Sequence, residues 1–340
     1  MTRQVNMSDS DELKADKPAT LGEFGRIARF FAPLASGAPG ALGLTDDAAL
    51  IDCPLAERLV VTVDAMVEGV HFLGSDPPDL VARKLVRVNL SDLAAMAARP
   101  VGYFLTTALP KSRGDDWLAG FAAGLAQDQA EFGIALMGGD SVSTPGPITL
   151  TLTAFGRIDV GAEVRRGGAC PGDLVFVSGT IGDGALGLEA AQGKLDGVLG
   201  PADVAFLADR YRLPRPRVVL GSLLSGLASA MMDVSDGLVG DLGHICTLSG
   251  VAGVVEAARV PLSVAAARLP DRLATVLTGG DDYELLFTAS PDRQAQILAA
   301  AKASGVPVTA IGRIEAGQGV RVLDAAGSDI VLDGVGWRHF

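Results

Sequence analysis

Residues 59–63 and 79–97 read LVVTV and DLVARKLVRVNLSDLAAMA, and their contrasting apolar patterns decide the fold class. The first is a short run of branched aliphatic residues, which is typical of a buried strand. The second places apolar residues at the three- and four-residue spacing of a helix that covers a core. A strand followed by a helix is the repeating unit of an α/β domain. The stretch therefore predicts an α/β fold.

The same alternation continues along most of the chain. Helices are predicted over 21–31, 115–131, 201–210, 214–226, 236–249 and 291–304, with one more after the Gly-rich turn that follows residue 179. Strands are predicted over 101–110, 134–139, 148–156, 174–179, 230–234, 251–257, 284–289, 306–312 and 320–323. The clearest strand signal is ITLTLTAFG (148–156), because β-branched residues alternate along it. The first strand is predicted to stop at Asp64, which places a carboxylate at a buried strand end.

We expect two domains, each a sheet backed by helices on one face. The Gly- and Arg-rich stretch GRIDVGAEVRRGGACPGD interrupts the pattern. It separates an N-terminal domain over 21–157 from a C-terminal α/β domain over 166–340. Residues 1–20 are polar and lack the apolar core of a signal peptide, so we expect a disordered N-terminal extension.

The composition excludes several classes of function. A net charge of −12 opposes nonspecific nucleic-acid binding, which depends on Lys and Arg. The most apolar stretch, 218–232, is too short and too rich in Gly and Ser for a membrane span, so no membrane association is expected. The three cysteines lie far apart without a C-x-x-C pair, which argues against a disulfide framework and a zinc site. We therefore expect a protein of the reducing cytoplasm.

Many aspartates share one setting, in which an apolar segment meets a turn. They are Asp46, Asp47, Asp64, Asp92, Asp140, Asp233, Asp236, Asp281 and Asp282. Taken alone, each is more often a turn residue or helix N-cap than a metal ligand. Asp92 is different, because it lies inside an apolar helical pattern. Oxygen ligands in number, with few His or Cys, suit Mg²⁺ or Ca²⁺, and their spacing fits no EF-hand loop. The ligands must then converge from several elements.

Two further motifs leave alternatives open. The chain lacks a P-loop but contains GDGALG (182–187), which matches G-x-G-x-x-G after a strand. This turn either lies near a phosphate or lets a helix pack closely on its strand. Arg165 and Arg166 suit a phosphate or a solvated surface equally. His71 is by itself more often structural than functional.

Six motifs together carry a family resemblance. In chain order they are GLTDDAAL, VDAMVEGVHF, LVRVNLSDLAAMAARP, LMGGDSV, MMDVSDGLVGDLGHI and GGDDYELLFT, and the resemblance around them runs from about Leu21 to the final GWRHF. Together they resemble the thiamine-monophosphate kinase family, in the superfamily of aminoimidazole ribonucleotide synthetase and selenophosphate synthetase. The resemblance implies transfer of the γ-phosphoryl group of ATP to thiamine monophosphate, with several Mg²⁺ ions.

The resemblance also assigns residues to roles. It implies that Asp64 and Asp140 are essential for turnover. The implied Mg²⁺ ligands are Asp47, Thr62, Asp64, Asp92, Asp140, Asp233 and Asp236. The implied ATP-binding residues are Gly139, Asp140, Arg166 and Ser235, and the implied thiamine-phosphate-binding residues are His71, Asp281 and Trp337.

The family fold adds an expectation about assembly. An N-terminal sheet pairs with its copy in a second subunit to form a barrel-like dimer core, and the C-terminal domain closes over the nucleotide. Thr45 replaces a Gly of the family motif, Ser141 and Val142 replace two threonines, and Asp281 replaces a longer Glu. Two alternatives remain: another synthetase of the superfamily, or a noncatalytic nucleotide- or cation-binding module. A selenophosphate synthetase would need a reactive Cys before Asp46, and the segment has none.

Overall fold

The computed structural model describes residues 23–44, 51, 53–332, 334 and 336. A four-stranded sheet lies in the N-terminal half and a six-stranded sheet in the C-terminal half. The predicted mixed α/β fold class is confirmed. The proposed N-terminal extension lies outside the described residues. None of the described helices is both long enough and apolar enough to cross a membrane.

The N-terminal sheet has the order β1-β4-β2-β3, and only β2 and β3 are parallel. Its strands are β1 (Glu57–Val67), β2 (Arg99–Pro110), β3 (Ala135–Thr144) and β4 (Thr149–Asp159). The short helix α1 (Glu23–Arg26) precedes it and continues as a π-turn to Phe31. Helices α2 (Pro78–Ala95) and α3 (Asp115–Phe132) pack on one another and bury the apolar residues of one sheet face. The other face exposes Val61 and Val63 of β1.

The C-terminal sheet has the order β10-β7-β9-β5-β8-β6. Its strands are β5 (Leu174–Ser178), β6 (Ala230–Asp233), β7 (Ala252–Glu256), β8 (Leu285–Ala289), β9 (Val308–Glu315) and β10 (Gly319–Leu323). Its helices are α4 (Asp183–Ala191), α5 (Pro201–Arg212), α6 (Val218–Leu223), α7 (Leu238–Ser249), α8 (Leu273–Thr278) and α9 (Gln294–Ser304).

The prediction that helices cover one face is wrong for this second sheet. Val175, Val177 and Leu286 face one core, which contains residues of α4, α5 and α7. Phe176 and Phe287 face another core, which contains residues of α6, α9 and the end of α2. Every residue of β8 is buried, and a strand that is buried on both faces needs a layer of helices on each side.

Three boundaries differ from prediction for identifiable reasons. Strand β1 continues past Asp64 to Val67, because its pairing with the whole length of β4 holds it extended. Strand β3 similarly continues through Asp140 to Thr144 beside β2. The helix predicted over 214–226 is confined to α6, since Pro214 and Pro216 disfavour helical backbone in the residues that precede them.

Helix α2 joins the two halves. Pro78 in its first turn suits a helix start, and Ala97, with a φ of 62°, turns the chain away at its end. Gly221 of α6 packs so closely that an added Cβ would lie 2.2 Å from the carbonyl oxygen of Ala94. The Ser91 hydroxyl donates a hydrogen bond to Asp233 at the end of β6 (2.7 Å). Residues of α2 are therefore fixed against the C-terminal half.

We expect Gly221→Ala to lower the free energy of unfolding by roughly 1–3 kcal/mol, because the new methyl group must push α6 away from α2. Denaturant unfolding measures the change. The matched control is Gly243→Ala in α7, where the nearest atom to an added Cβ is 4.0 Å away. That variant should be neutral or more stable, because Ala favours helix over Gly. Equal losses in both variants would contradict a close α2–α6 contact.

Candidate active site

A cleft of about 550 Å³ lies between the N-terminal sheet, α2 and the C-terminal half. It is lined by residues from β1, from α2 and from the loops that follow β6 and precede β8. The cleft brings together seven of the residues singled out in the sequence, namely Asp64, His71, Asp92, Asp233, Ser235, Asp236 and Asp281. The structure therefore brings these seven residues together from distant segments of the chain, as the pattern of oxygen ligands required.

Four carboxylates crowd one end of this cleft. Burial raises the pKa of Asp64 to about 6, and the charges of Asp92 and Asp236 raise it further. Burial likewise raises the pKa of Asp233 to about 8, with Asp92 again adding to the effect. The nearby charge of Arg166 acts in the opposite direction on Asp92 and Asp233. One arginine thus opposes a larger concentration of negative charge.

Two hydroxyls orient these carboxylates. Thr62, two residues before Asp64 on β1, donates to Asp92 Oδ2 at 2.6 Å. Ser91 donates to Asp233 Oδ2. Both bonds favour the ionised carboxylate and join α2 to a strand on either side. Burial nevertheless dominates and raises the pKa of Asp92.

Within the described residues, no three His, Cys, Asp or Glu side chains form a ready-made metal cage. Asp47 lies outside the described residues. Mg²⁺ is rarely held by protein side chains alone, since it keeps several waters and takes one or two carboxylates plus phosphate oxygens. An all-oxygen set with unbalanced negative charge fits that pattern. The site therefore suits Mg²⁺ that arrives with a phosphate ligand rather than a structural ion.

Asp241 is a member of the site that the sequence analysis missed. It is buried in the first turn of α7, and its Oδ2 accepts the backbone N–H groups of Asp236 (3.2 Å) and Gly237 (3.1 Å). Burial and the charge of Asp236 raise its pKa to about 7. Asp241 fixes the turn that presents Asp236 to the cleft. In the sequence, Asp241 is marked only by its position five residues after Asp236, and this spacing alone does not indicate a role.

Gly139 and Asp140 line a different cleft, of about 460 Å³, on strand β3. Its walls include the apolar residues Phe31, Phe104 and Met137. Asp140 is exposed, and its Oδ1 accepts the N–H of Ser141 at 2.8 Å. The structure therefore does not bring Asp140 to the cleft that Asp64 lines. Trp337 lies outside the described residues.

His71 also lines this main cleft, the one of about 550 Å³. Its Nδ1 accepts the backbone N–H of Val67 at 3.0 Å. In a neutral imidazole the proton must then lie on Nε2, which makes that nitrogen a hydrogen-bond donor. Nearby, Lys84 of α2 donates to Asp281 Oδ2 at 3.1 Å. The sequence analysis did not single out Lys84, because lysines on helices are usually solvated.

The glycine-rich turn 182–187 already holds a carboxyl group of the protein itself. The carboxylate of Asp282 accepts the N–H groups of Gly182 (2.7 Å) and Gly184 (2.9 Å). A Cβ at Gly184 would lie 2.2 Å from the carbonyl oxygen of Asp281. Of the two explanations for G-x-G-x-x-G, close packing is therefore the one that the structure supports.

Comparison with known proteins gives two adjacent family matches. Residues 45–158 match the family described as AIR synthase related protein, N-terminal domain. Residues 170–325 match AIR synthase related protein, C-terminal domain. The two matches cover most of the chain and divide it near the Gly- and Arg-rich stretch.

Individual relatives are also similar over nearly the whole chain. The thiamine-monophosphate kinase of Caulobacter vibrioides is 44% identical, over 97% of this chain and 94% of that protein. The thiamine-monophosphate kinase of Salmonella typhimurium is 39% identical, over 94% of this chain and 98% of that protein.

Two solved structures have the same fold. The crystal structure of thiamine-monophosphate kinase from Stenotrophomonas maltophilia has a TM-score of 0.78 at 41% identity, covering 86% of this chain and 96% of that one. AaThiL complexed with AMPPCP and TMP has a TM-score of 0.75 at 31% identity, covering 94% of this chain and 97% of that one.

The crowded carboxylates predict a pH dependence of stability in metal-free protein. The raised pKa values of Asp64 (about 6) and Asp233 (about 8) mean that folding favours their protonated forms. Their stabilising contribution is complete below about pH 4 and is lost as pH rises through about 6 and then 8. We expect the thermal midpoint in excess chelator to fall over this range. The thermal midpoint of the Asp233→Asn variant should fall less between about pH 4 and pH 8, because Asn cannot ionise. If the thermal midpoints of the wild type and the variant fell in parallel with pH, the raised pKa of Asp233 would be contradicted.

Proposed function

Because the chain belongs to the thiamine-monophosphate kinase family of AIR synthase related proteins, we propose that it transfers the γ-phosphoryl group of ATP to thiamine monophosphate. The products would be thiamine diphosphate and ADP. One observation of the site carries the proposal: a single cleft is lined both by the crowded carboxylates and by His71 and Asp281. A relative, AaThiL, has been solved with an ATP analogue and TMP together.

The carboxylate end would serve the phosphates. We assign Asp64, Asp92, Asp233 and Asp236 as Mg²⁺ ligands, with Thr62 orienting Asp92 and offering its own oxygen. Bound Mg²⁺ would neutralise the negative charge on the donor and acceptor phosphates. Cation binding at this place is favourable, because a bound cation would relieve the repulsion between these carboxylates. We propose that Asp47 and Asp140, which the motif resemblance assigns to Mg²⁺, would complete the ligand set.

No general base is required for this reaction. The acceptor is a phosphate oxygen that is already anionic at neutral pH, so the task is to place two polyanions in line. His71 Nε2 would donate a hydrogen bond to the acceptor phosphate, given that Nδ1 is occupied by Val67. Asp281 and Trp337 would contact the thiamine portion.

The nucleotide side of the proposal involves both clefts. Ser235 lines the main cleft and Arg166 acts electrostatically on its carboxylates, so both suit polyphosphate binding. Gly139 and Asp140 line the second cleft. Their assignment to ATP and Mg²⁺ requires the two clefts to approach one another in the closed or dimeric protein. Asp140→Asn tests this requirement directly, since loss of turnover is expected only if the residue reaches the reacting phosphates.

We also propose a homodimer that covers the open face of the N-terminal sheet. Val61 and Val63 on edge strand β1 are 61% and 59% exposed, and Val142 on the opposite edge is 48% exposed. Exposed apolar residues on an edge strand usually mark an interface. The cytoplasmic assignment stays a prediction, and it agrees with three free thiols at Cys53, Cys170 and Cys246.

The activity is tested by incubating purified protein with ATP, Mg²⁺ and thiamine monophosphate and separating the products. Equal amounts of thiamine diphosphate and ADP are expected, and none when Mg²⁺ is chelated. Binding of ATP without any transfer would favour a noncatalytic module. Transfer to a different phosphorylated acceptor would favour a sister enzyme of the superfamily.

Asp64→Asn should lower kcat by about 100-fold or more, because a neutral amide replaces an anionic ligand at almost the same volume. The fold should be retained, which circular dichroism and thermal unfolding would check. The matched control is Asp159→Asn at the exposed end of β4, which should keep wild-type kinetics. Wild-type turnover by Asp64→Asn would contradict the metal assignment.

A further inference from the structure

A buried lysine lies between the two segments that form the substrate end of the main cleft. Lys84 of α2 is only 3% exposed, yet it lines the cleft. Its Nζ donates to the carbonyl oxygen of His71 (3.0 Å) and to Asp281 Oδ2 (3.1 Å). The ammonium also lies 3.7 Å from the ring centroid of Tyr211, within range of a cation–π interaction. The buried charge is thus paired on several sides.

The groups around Lys84 are in turn bound to one another. Tyr211 of α5 donates its hydroxyl to the same carbonyl oxygen of His71 at 3.3 Å. Tyr283 donates to the second oxygen of Asp281 at 3.2 Å. Lys84 therefore connects the loop after β1, helix α5 and the loop before β8 at one point.

The loop before β8 needs such a restraint. Asp281 and Tyr283 have φ angles of 70° and 52°, a left-handed conformation that residues other than Gly adopt only when their surroundings impose it. The contacts of Lys84 and Tyr283 with the Asp281 carboxylate hold this loop in place. Asp281 is also the position at which this chain has a shorter side chain than the family's usual Glu.

Stability alone does not explain a lysine at this place. An ion pair with one buried partner contributes little to stability, because removing the Lys84 ammonium from water offsets its attraction to the partly exposed Asp281 carboxylate. When the cleft binds an anionic substrate, however, the ion pair has an advantage over apolar residues. An unpaired Asp281 carboxylate would repel an acceptor phosphate in the same cleft, and Lys84 removes that repulsion.

We propose that Lys84 is a positioning residue for the acceptor substrate. It fixes His71 and Asp281 at one separation and neutralises Asp281, so that thiamine monophosphate can bind with its phosphate at His71 and its thiamine portion at Asp281. The inference rests on the proposed function, which supplies the phosphate-bearing acceptor. The contacts of Lys84 are with His71, Asp281 and Tyr211, whereas ATP is assigned to Ser235 and the crowded carboxylates, so we expect a smaller effect on ATP.

The test compares the affinities for the two substrates. Lys84→Met keeps an unbranched side chain and removes the charge. We expect the KM for thiamine monophosphate to rise about tenfold or more, with the KM for ATP changed less than about twofold. Calorimetric binding of thiamine monophosphate without ATP should weaken by the same factor. Lys84→Arg, which keeps the charge but not the geometry, should have an intermediate effect.

A charge-balanced double variant separates repulsion from packing. If Lys84 neutralises Asp281, the two substitutions should not be additive. The double variant Lys84→Met/Asp281→Asn should then lose less affinity for thiamine monophosphate than the sum of the losses in the two single variants. The matched control is Arg83→Met, the preceding residue on α2, whose guanidinium pairs with Asp128 at 2.7 Å. It should leave both KM values unchanged.

Each outcome decides the proposal. Equal KM changes for both substrates, or unchanged KM values with lower thermal stability, would make Lys84 a packing residue and overturn it. If Lys84→Met does not fold, Lys84→Arg decides in the same way, since wild-type KM values would overturn the proposal. A wild-type protein that neither binds nor phosphorylates thiamine monophosphate would overturn the function as well. An active wild type with an unaffected Lys84→Met overturns this inference alone.

Discussion

The packing of helix α2 between the two sheets is the constraint on which the cleft depends. Most of its residues are buried, and it contacts β1 and β4 on one side and β6 and α6 on the other. Lys84, Val88 and Asp92 are spaced four residues apart, so they share the face that lines the cleft. One helix therefore presents a cation toward the proposed acceptor site and a carboxylate toward the proposed metal site. Their separation is set by helix geometry rather than by a mobile loop.

The electrostatics of the cleft follow from that packing. Asp92 is held close to Asp64 on one side and Asp233 on the other, and burial removes the water that would screen them. In the described part of the chain, burial and mutual repulsion outweigh the charge of Arg166 at Asp233, so the pKa of this carboxyl stays raised. A ligand that combines divalent cations with polyphosphate restores the balance. Binding and charge neutralisation are thus the same event, which suits a reaction between two phosphates.

The sequence predicted much of this architecture, because apolar periodicity is local information. The β1 and α2 patterns were recognisable, and Asp92 stood out because it interrupts an apolar face. Strand ends were less predictable: pairing with β4 carries β1 beyond Asp64, and pairing is not local. The coverage of both faces of the second sheet depends likewise on tertiary packing. The motif resemblance, rather than periodicity, selected His71 and Asp281.

The residues that were missed show what a sequence conceals. Lys84 and Asp241 look like ordinary helix charges, and only the fold buries them. Asp282 resembled a metal ligand as much as its neighbour did, yet its carboxylate accepts two amides of the glycine-rich turn. Such roles are defined by which atoms lie opposite a side chain. A single sequence does not contain that information.

Diffraction from crystals grown with Mn²⁺ and a non-hydrolysable ATP analogue tests the central claim most directly, because manganese scatters anomalously and accepts the oxygen ligands that Mg²⁺ prefers. The account predicts anomalous peaks in the main cleft, at coordination distance from carboxylate oxygens of Asp64, Asp92 and Asp233 and from phosphate oxygens. Peaks confined to other parts of the molecule, with the nucleotide bound and these carboxylates unliganded, would contradict it.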